Sequence, residues 1–136
     1  MKKILIISAL AALGGCASME APPGPPLPAT PVFFQPFSAA LDEPALNAIA
    51  NAAKAANAQP DAPVTVIGAA DSVGSVLANK YLSETRAQVV ADQLAADGVA
   101  QDRLHIQARG IIYPSNTATG TPVQAARRVL IEIGGA

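Results

Sequence analysis

An aspartate and an arginine in the middle of the chain have side chains suited to holding a charged ligand. Asp71 lies in the glycine-containing stretch Gly68–Gly74, and Arg86 follows it by fifteen positions. An ionised carboxylate accepts hydrogen bonds, whereas a guanidinium donates them in a planar fork that matches a carboxylate. The two charges therefore either serve one binding site or belong separately to a turn and to the surface of a helix.

The residues around Arg86 form one face of a predicted helix. Asn79, Leu82, Ser83 and Arg86 are spaced i, i+3, i+4 and i+7, which places them on the same side of the helix. Spacing alone does not bring Asp71 next to Arg86, because Arg86 would lie about 16 Å from the start of the helix. A ligand-free turn at Asp71 and a solvated Arg86 remain the alternative on these residues alone.

The composition argues against a nucleic-acid-binding protein and against an enzyme. The 136-residue chain has nine basic and ten acidic residues and a formal net charge of −1, without the clustered basic residues that nucleic acids require. The single histidine, His105, falls on the outward face of an alternating strand pattern. With no second histidine for a metal site or a catalytic triad, we predict a protein that is not an enzyme and has no cofactor.

The N-terminal residues have the pattern of an export signal. Two lysines precede the ten-residue apolar run Ile4–Leu13, which is too short to span a bilayer and typical of a signal peptide. The run ends in LGGC, and Cys16 is the only cysteine of the chain. This segment resembles the lipobox of bacterial lipoproteins, in which the cysteine becomes the acylated first residue of the mature protein. That resemblance implies a signal peptide over residues 1–15 and lipidation of Cys16.

A proline-rich segment follows the cysteine. Six prolines occur in the twelve residues Glu20–Pro31, and such chains favour an extended conformation of about 3.1 Å per residue, so the spacer would reach roughly 35–40 Å. We therefore predict a lipid-anchored linker over residues 16–31. Ala17 follows the cysteine, where lipoproteins retained in the inner membrane carry aspartate, so the resemblance implies the periplasmic face of the outer membrane.

Residues 32–136 are expected to form one α/β domain, because about 105 residues can bury one modest core. Asp42 can cap a helix, Gly98 can end the next one, and Val129, Ile131 and Ile133 alternate as in a strand. The predicted order is β-α-β-α-β-loop-β, with helices packed on a sheet. The expected elements are a strand at Val32–Phe37, a helix over 42–59, a strand at Val64–Gly68, a helix over 75–97, and strands over 103–109 and 127–133.

The same residues resemble the OmpA-like periplasmic domain, which occurs in outer-membrane porin tails, peptidoglycan-associated lipoproteins and motor stators. The family pattern has G-H-T-D, G-S, N, L-S-x-x-R-A and R-R-V in order along the chain. The matching residues here are Gly68, Asp71, Gly74, Ser75, Asn79, Leu82, Ser83, Arg86, Ala87, Arg127, Arg128 and Val129. The resemblance covers almost all of residues 32–133 and implies a mixed four-stranded sheet.

The resemblance also implies a ligand, since the family binds peptidoglycan through the diaminopimelate of its stem peptide. Asp71 would then pair with the ligand's ammonium and Arg86 with its carboxylate, with Asn79, Leu82 and Arg128 as further ligand-contacting residues. The implied function is an outer-membrane lipoprotein that tethers the membrane to the cell wall.

Three positions depart from the family pattern. Ala69 and Ala70 stand where the family has histidine and threonine, and Ala126 replaces the asparagine before R-R-V. Arg127 and Arg128 are retained and either neutralise Asp71 or stay in solvent. Because three polar groups are lost, an alternative function stays open: an interaction or signalling module that docks to envelope proteins, with weak or no wall binding.

Overall fold

The computed structural model describes residues 26–114 and 117–134. The elements are β1 (Thr30–Phe33), α1 (Glu43–Asn57), β2 (Val64–Ala70), α2 (Val76–Ala96), β3 (Leu104–Ile111) and β4 (Arg128–Ile133), with single 3₁₀ turns at Gln101–Arg103 and Gln124–Ala126. The strands form one sheet in the order β1-β4-β2-β3. β4 is antiparallel to both β1 and β2, whereas β2 and β3 are parallel. The predicted fold class is confirmed: two helices pack on a mixed four-stranded sheet.

The first helix begins where its cap was predicted. The Ala45 amide donates to Asp42 Oδ1 at 2.9 Å, which satisfies one of the unpaired amides of the first turn. The sequence pattern predicts one apolar face made of Leu46, Ile49, Ala50 and Ala53, but Leu46 is 39% exposed and Ala50 is exposed as well. Most apolar side chains of this helix are alanines, so side-chain size does not indicate which face of the helix is buried. The buried residues are Ala45, Ile49, Ala52, Ala53 and Ala56.

The first strand begins earlier and ends earlier than predicted. Thr30 and Pro31 already pair with β4, and the Leu27 amide donates to the Ile133 carbonyl at 3.2 Å. The fold thus includes the last residues of the proline-rich segment. Pro31 is tolerated within β1 because β1 is an edge strand. β1 stops at Phe33, before Pro36 and the positive φ of 53° at Phe37.

The helix α2 lies unusually close to β2 because of one glycine. A Cβ atom at Gly68 would lie 1.9 Å from the Ser83 carbonyl oxygen, so no side chain separates the helix from the strand. This contact places the α2 residues Ser83 and Arg86 beside the carboxyl end of β2. Within the described ranges, neither helix is long and apolar enough to cross a membrane. The predicted signal peptide, Cys16 and most of the linker lie outside the described residues.

Candidate functional site

Asp71 directly follows β2 and is held in a network of hydrogen bonds. The residue is 6% exposed. Its Oδ1 accepts from the Val73 amide at 3.3 Å, and its Oδ2 accepts from the Val123 amide at 3.3 Å. Arg127 Nη1 also donates to Oδ2 at 3.1 Å, forming an ion pair. The carboxylate is therefore fixed by the turn that follows β2 and by the segment that leads into β4.

Arg86 is the largest fully buried side chain of the described structure, with 0% exposure. Its Nε donates to the Ser38 carbonyl at 2.8 Å, its Nη1 to the Ala69 carbonyl at 3.0 Å, and its Nη2 to the Gln35 carbonyl at 3.1 Å. The guanidinium carbon lies 5.2 Å from the centre of the Phe34 ring, within the range of a cation–π contact. Arg86 thus joins the β1–α1 segment to the end of β2.

The charges of this site do not cancel. Burial lowers the pKa of Arg86 to about 10, an effect that Asp71 opposes and that the positive charge of Arg127 adds to. Arg86 remains protonated at neutral pH, because this pKa still lies well above 7. The carboxylate of Asp71 therefore acts on two guanidinium groups, that of Arg127 by direct contact and that of Arg86 through its charge.

The structure brings Asp71, Asn79 and Arg86 to one end of the sheet, an arrangement that the family resemblance implied and that spacing alone did not. Asn79 is 3% exposed, and its Nδ2 donates to the Val73 carbonyl at 2.8 Å, which folds the turn after β2 back over the start of α2. Arg86 lies three turns along α2 and reaches the end of β2 because the close contact of Ser83 with Gly68 holds this part of the helix against the strand. Ser83, on the same face, accepts from the Gly110 amide at 2.9 Å.

The other two predicted ligand-contacting residues are less deeply buried than Asp71, Asn79 and Arg86. Leu82 and Arg128 are both half-buried, and Arg128 opens β4 opposite Phe33 of β1. Ala69, Ala70 and Ala126 are all buried, at 3%, 0% and 0% exposure. The positions that are polar in the family pattern therefore present methyl groups to the interior here.

The sequence left open whether Arg127 neutralises Asp71 or stays in solvent. In the structure Arg127 forms an ion pair with Asp71. Its Nε also donates to the Phe34 carbonyl at 3.0 Å. An open cavity of about 180 Å³ lies beside it, lined by Phe33, Phe34, Gln35, Asp42, Gln124 and Arg127. The carbonyls of Gln35 and Ser38 that hold Arg86 were not predicted, because a main-chain acceptor has no signature in the sequence.

The described residues contain no group of three or more histidine, cysteine, aspartate or glutamate side chains that could hold a metal ion. At the end of β2 the described side chains instead supply fixed charges and hydrogen-bond donors.

Comparison with known proteins supports the fold and the family. The model of the OmpA family matches residues 33–128. The peptidoglycan-binding protein ArfA of Mycobacterium tuberculosis is 35% identical over 131 residues, which cover 84% of this chain and 39% of that protein. Outer membrane protein A of Citrobacter freundii is 36% identical over 85 residues, which cover 55% of this chain and 36% of that protein. The chain thus spans well under half the length of the curated relatives it matches.

A solved structure shows the same fold at low sequence identity. The peptidoglycan-associated lipoprotein of Burkholderia pseudomallei superposes with a TM-score of 0.69 and 19% identity, covering 76% of this chain and 89% of that structure. This likeness establishes the shared fold.

Proposed function

The chain belongs to the OmpA family, and we propose that its folded domain binds peptidoglycan non-covalently through the stem peptide. The name of the mycobacterial relative supports this ligand class. The observation that carries the proposal is the cluster at the end of β2, where the fixed carboxylate of Asp71 lies near the buried, charged guanidinium of Arg86. Such a cluster suits a ligand that presents both an ammonium and a carboxylate.

Diaminopimelate is the component of the stem peptide that fits these charges. Its free end carries an ammonium, which would approach Asp71, and a carboxylate, which would approach Arg86. Three of the five N–H groups of a guanidinium are used by carbonyls here, which leaves one N–H on each terminal nitrogen within the described structure. Because Arg86 is 0% exposed, the segment that carries Gln35 and Ser38 would have to move aside before a ligand carboxylate could reach these N–H groups.

A single site of this kind is expected to bind weakly. Hydrogen bonds to charged groups contribute roughly 1.5–3 kcal/mol each, and about 4 kcal/mol in total corresponds to millimolar affinity. Many tethered copies that face a repetitive polymer bind far more strongly, since the second and later contacts form at high effective concentration.

The proposal predicts a preference between two types of peptidoglycan. Lysine-type stems lack the second carboxylate of diaminopimelate, so Arg86 has no partner in them. We expect binding to diaminopimelate-type muropeptides to be at least about tenfold tighter, which corresponds to roughly 1.4 kcal/mol. Calorimetric titration with both types measures this ratio, and equal affinity would show that Arg86 does not read that carboxylate.

We further propose that the protein is anchored to the outer membrane by acylation of Cys16, with the proline-rich linker holding the domain off the membrane. The LGGC motif after a ten-residue apolar run supports this anchor. Several acyl chains give stable attachment, whereas one chain gives marginal binding. The lipid and the linker would together present the domain to the cell wall.

Replacing Cys16 with serine is expected to abolish lipidation, because the acylated sulfur is lost. The variant should leave the membrane fraction or accumulate as the uncleaved precursor. Metabolic labelling with a clickable fatty acid should mark the wild-type protein and leave the variant unmarked. Equal labelling of both would overturn the proposed anchor.

A second candidate function, docking to an envelope protein, is favoured by an exposed apolar strip beside the site. Val76, Leu77 and Tyr81 of α2 and the nearby Tyr113 are 74%, 60%, 60% and 55% exposed. Val76 and Tyr113 line one open depression, and clustered exposed apolar side chains are typical of interaction sites. The two candidate functions require different residues. If the cell wall is the ligand, alanine substitutions on this strip should leave muropeptide binding unchanged.

A further inference from the structure

We infer that Arg127 is a specificity-determining residue: by pairing with Asp71 it makes the site select its ligand by the carboxylate, with little contribution from the ligand's ammonium. This inference rests on the proposed function and concerns which half of the diaminopimelate end is recognised.

The carboxylate of Asp71 is already largely occupied. A carboxylate offers about four acceptor positions, and the Val73 amide, the Val123 amide and Arg127 Nη1 fill three of them. An arriving ammonium would find one position left. It would also meet the positive charges of Arg127 and Arg86, both of which act on the same carboxylate.

Arg127 is held in place by contacts other than the ion pair. Its Nε donates to the Phe34 carbonyl at 3.0 Å, its amide donates to the Gln124 carbonyl at 3.0 Å, and its carbonyl accepts from the Phe34 amide at 2.9 Å. The Arg127 and Asp71 side chains are 12% and 9% exposed, so solvent screens their attraction little. A ligand ammonium therefore competes with a partner that is already positioned and poorly screened.

The buried arginine is in the opposite situation. Its three hydrogen-bond acceptors are neutral carbonyls, and among the described residues the one acidic side chain that offsets its charge is Asp71, which is already paired. Two cations and one anion leave the cluster with a net positive charge. A ligand carboxylate cancels that charge, whereas a ligand ammonium adds to it.

Three synthetic stem peptides that differ at one residue test the inference. They carry diaminopimelate, 2-aminopimelate, which lacks the distal ammonium, or lysine, which lacks the distal carboxylate. For the full chain purified in detergent, we expect the aminopimelate peptide to bind within about threefold of the diaminopimelate peptide, and the lysine peptide at least about tenfold more weakly.

Arg127→Gln should change this pattern, because it frees Asp71 for the ligand. In this variant the diaminopimelate peptide should bind at least about tenfold more tightly than the aminopimelate peptide, and Arg127→Lys should restore the wild-type ratio. Arg109→Gln removes the same charge from an exposed position on β3 and should leave the ratio unchanged.

The outcomes separate the inference from the proposed function. Wild-type binding that weakens tenfold or more on loss of the ammonium alone would overturn the inference while leaving peptidoglycan binding intact. This comparison needs no variant, so it holds even if Arg127→Gln fails to fold. If none of the three peptides binds, the proposed function fails and the inference fails with it.

Discussion

Replacing Gly68 with alanine is expected to prevent stable folding of the domain. The added Cβ would lie 1.9 Å from the Ser83 carbonyl oxygen and 2.9 Å from its carbonyl carbon. Both are main-chain atoms of α2, so no side chain can rotate away, and the helix has to move off the sheet. We expect a loss of about 4 kcal/mol or more, which is at the upper end for single substitutions. Thermal and urea denaturation followed by circular dichroism measure this loss.

Gly120→Ala provides the matched control. Gly120 has a φ of +82°, and apart from its chain neighbours no atom lies within 4 Å of the position that an alanine Cβ would take. The cost of alanine there is conformational, about 1–2 kcal/mol, with no steric clash. A Gly68→Ala variant no less stable than Gly120→Ala would contradict the close packing of α2 on β2.

Replacing Arg86 with lysine is expected both to destabilise the fold and to abolish ligand binding. A lysine ammonium is a compact point charge and cannot reach the carbonyls of Gln35, Ser38 and Ala69 together, as the planar guanidinium does. Leaving buried acceptors unpaired costs about 1–3 kcal/mol each. The same change removes the planar guanidinium that is proposed to meet the ligand carboxylate. Thermal melting and muropeptide titration measure the two effects separately.

Arg109→Lys is the control for this substitution, because Arg109 is exposed on β3 and makes no side-chain hydrogen bond within the described structure. Both its stability and its muropeptide affinity should match the wild-type protein. Wild-type affinity in a folded Arg86→Lys protein would show that Arg86 has a structural role alone.

Much of the fold was predictable because its elements carry strong local signals. Asp42 caps α1, Ser75 caps α2 through a bond from the Ala78 amide at 3.1 Å, and Gly98 ends α2 with a φ of +103°. The alternation of Val129, Ile131 and Ile133 indicated the inward face of β4 correctly, since all three are buried. Helix caps, the glycine that ends a helix and the alternation of a strand all depend on residues that are close in sequence. They can therefore be read from the sequence directly.

What could not be predicted depends on contacts between distant segments. The alternating pattern that places His105 outward predicts that its neighbour Ile106 points inward, but Ile106 is 40% exposed, since β3 lies at the edge of the sheet. Arg103 carried no signal for its role, in which it donates to the carbonyls of Ala56, Gln59 and Ala62 and closes the end of α1.

The candidate site, like the fold, was predictable from the sequence only in part. The motif indicated Asp71, Asn79 and Arg86, and the structure places them at one end of the sheet. The depth of Arg86 and its three carbonyl partners were not visible in the sequence, because they require the β1–α1 segment to return to α2. Arg127 was ambiguous for the same reason, since its partner lies 56 positions away.

Co-sedimentation with purified diaminopimelate-type sacculi tests the central claim, that the domain binds the cell wall through the cluster at the end of β2. The wild-type protein should pellet with the sacculi, and a folded Arg86→Ala variant should stay in the supernatant. The change removes the buried, positively charged guanidinium that is proposed to meet the ligand carboxylate. Circular dichroism confirms that the variant is folded. A wild-type protein that stays in the supernatant, or a variant that pellets equally, would contradict the account.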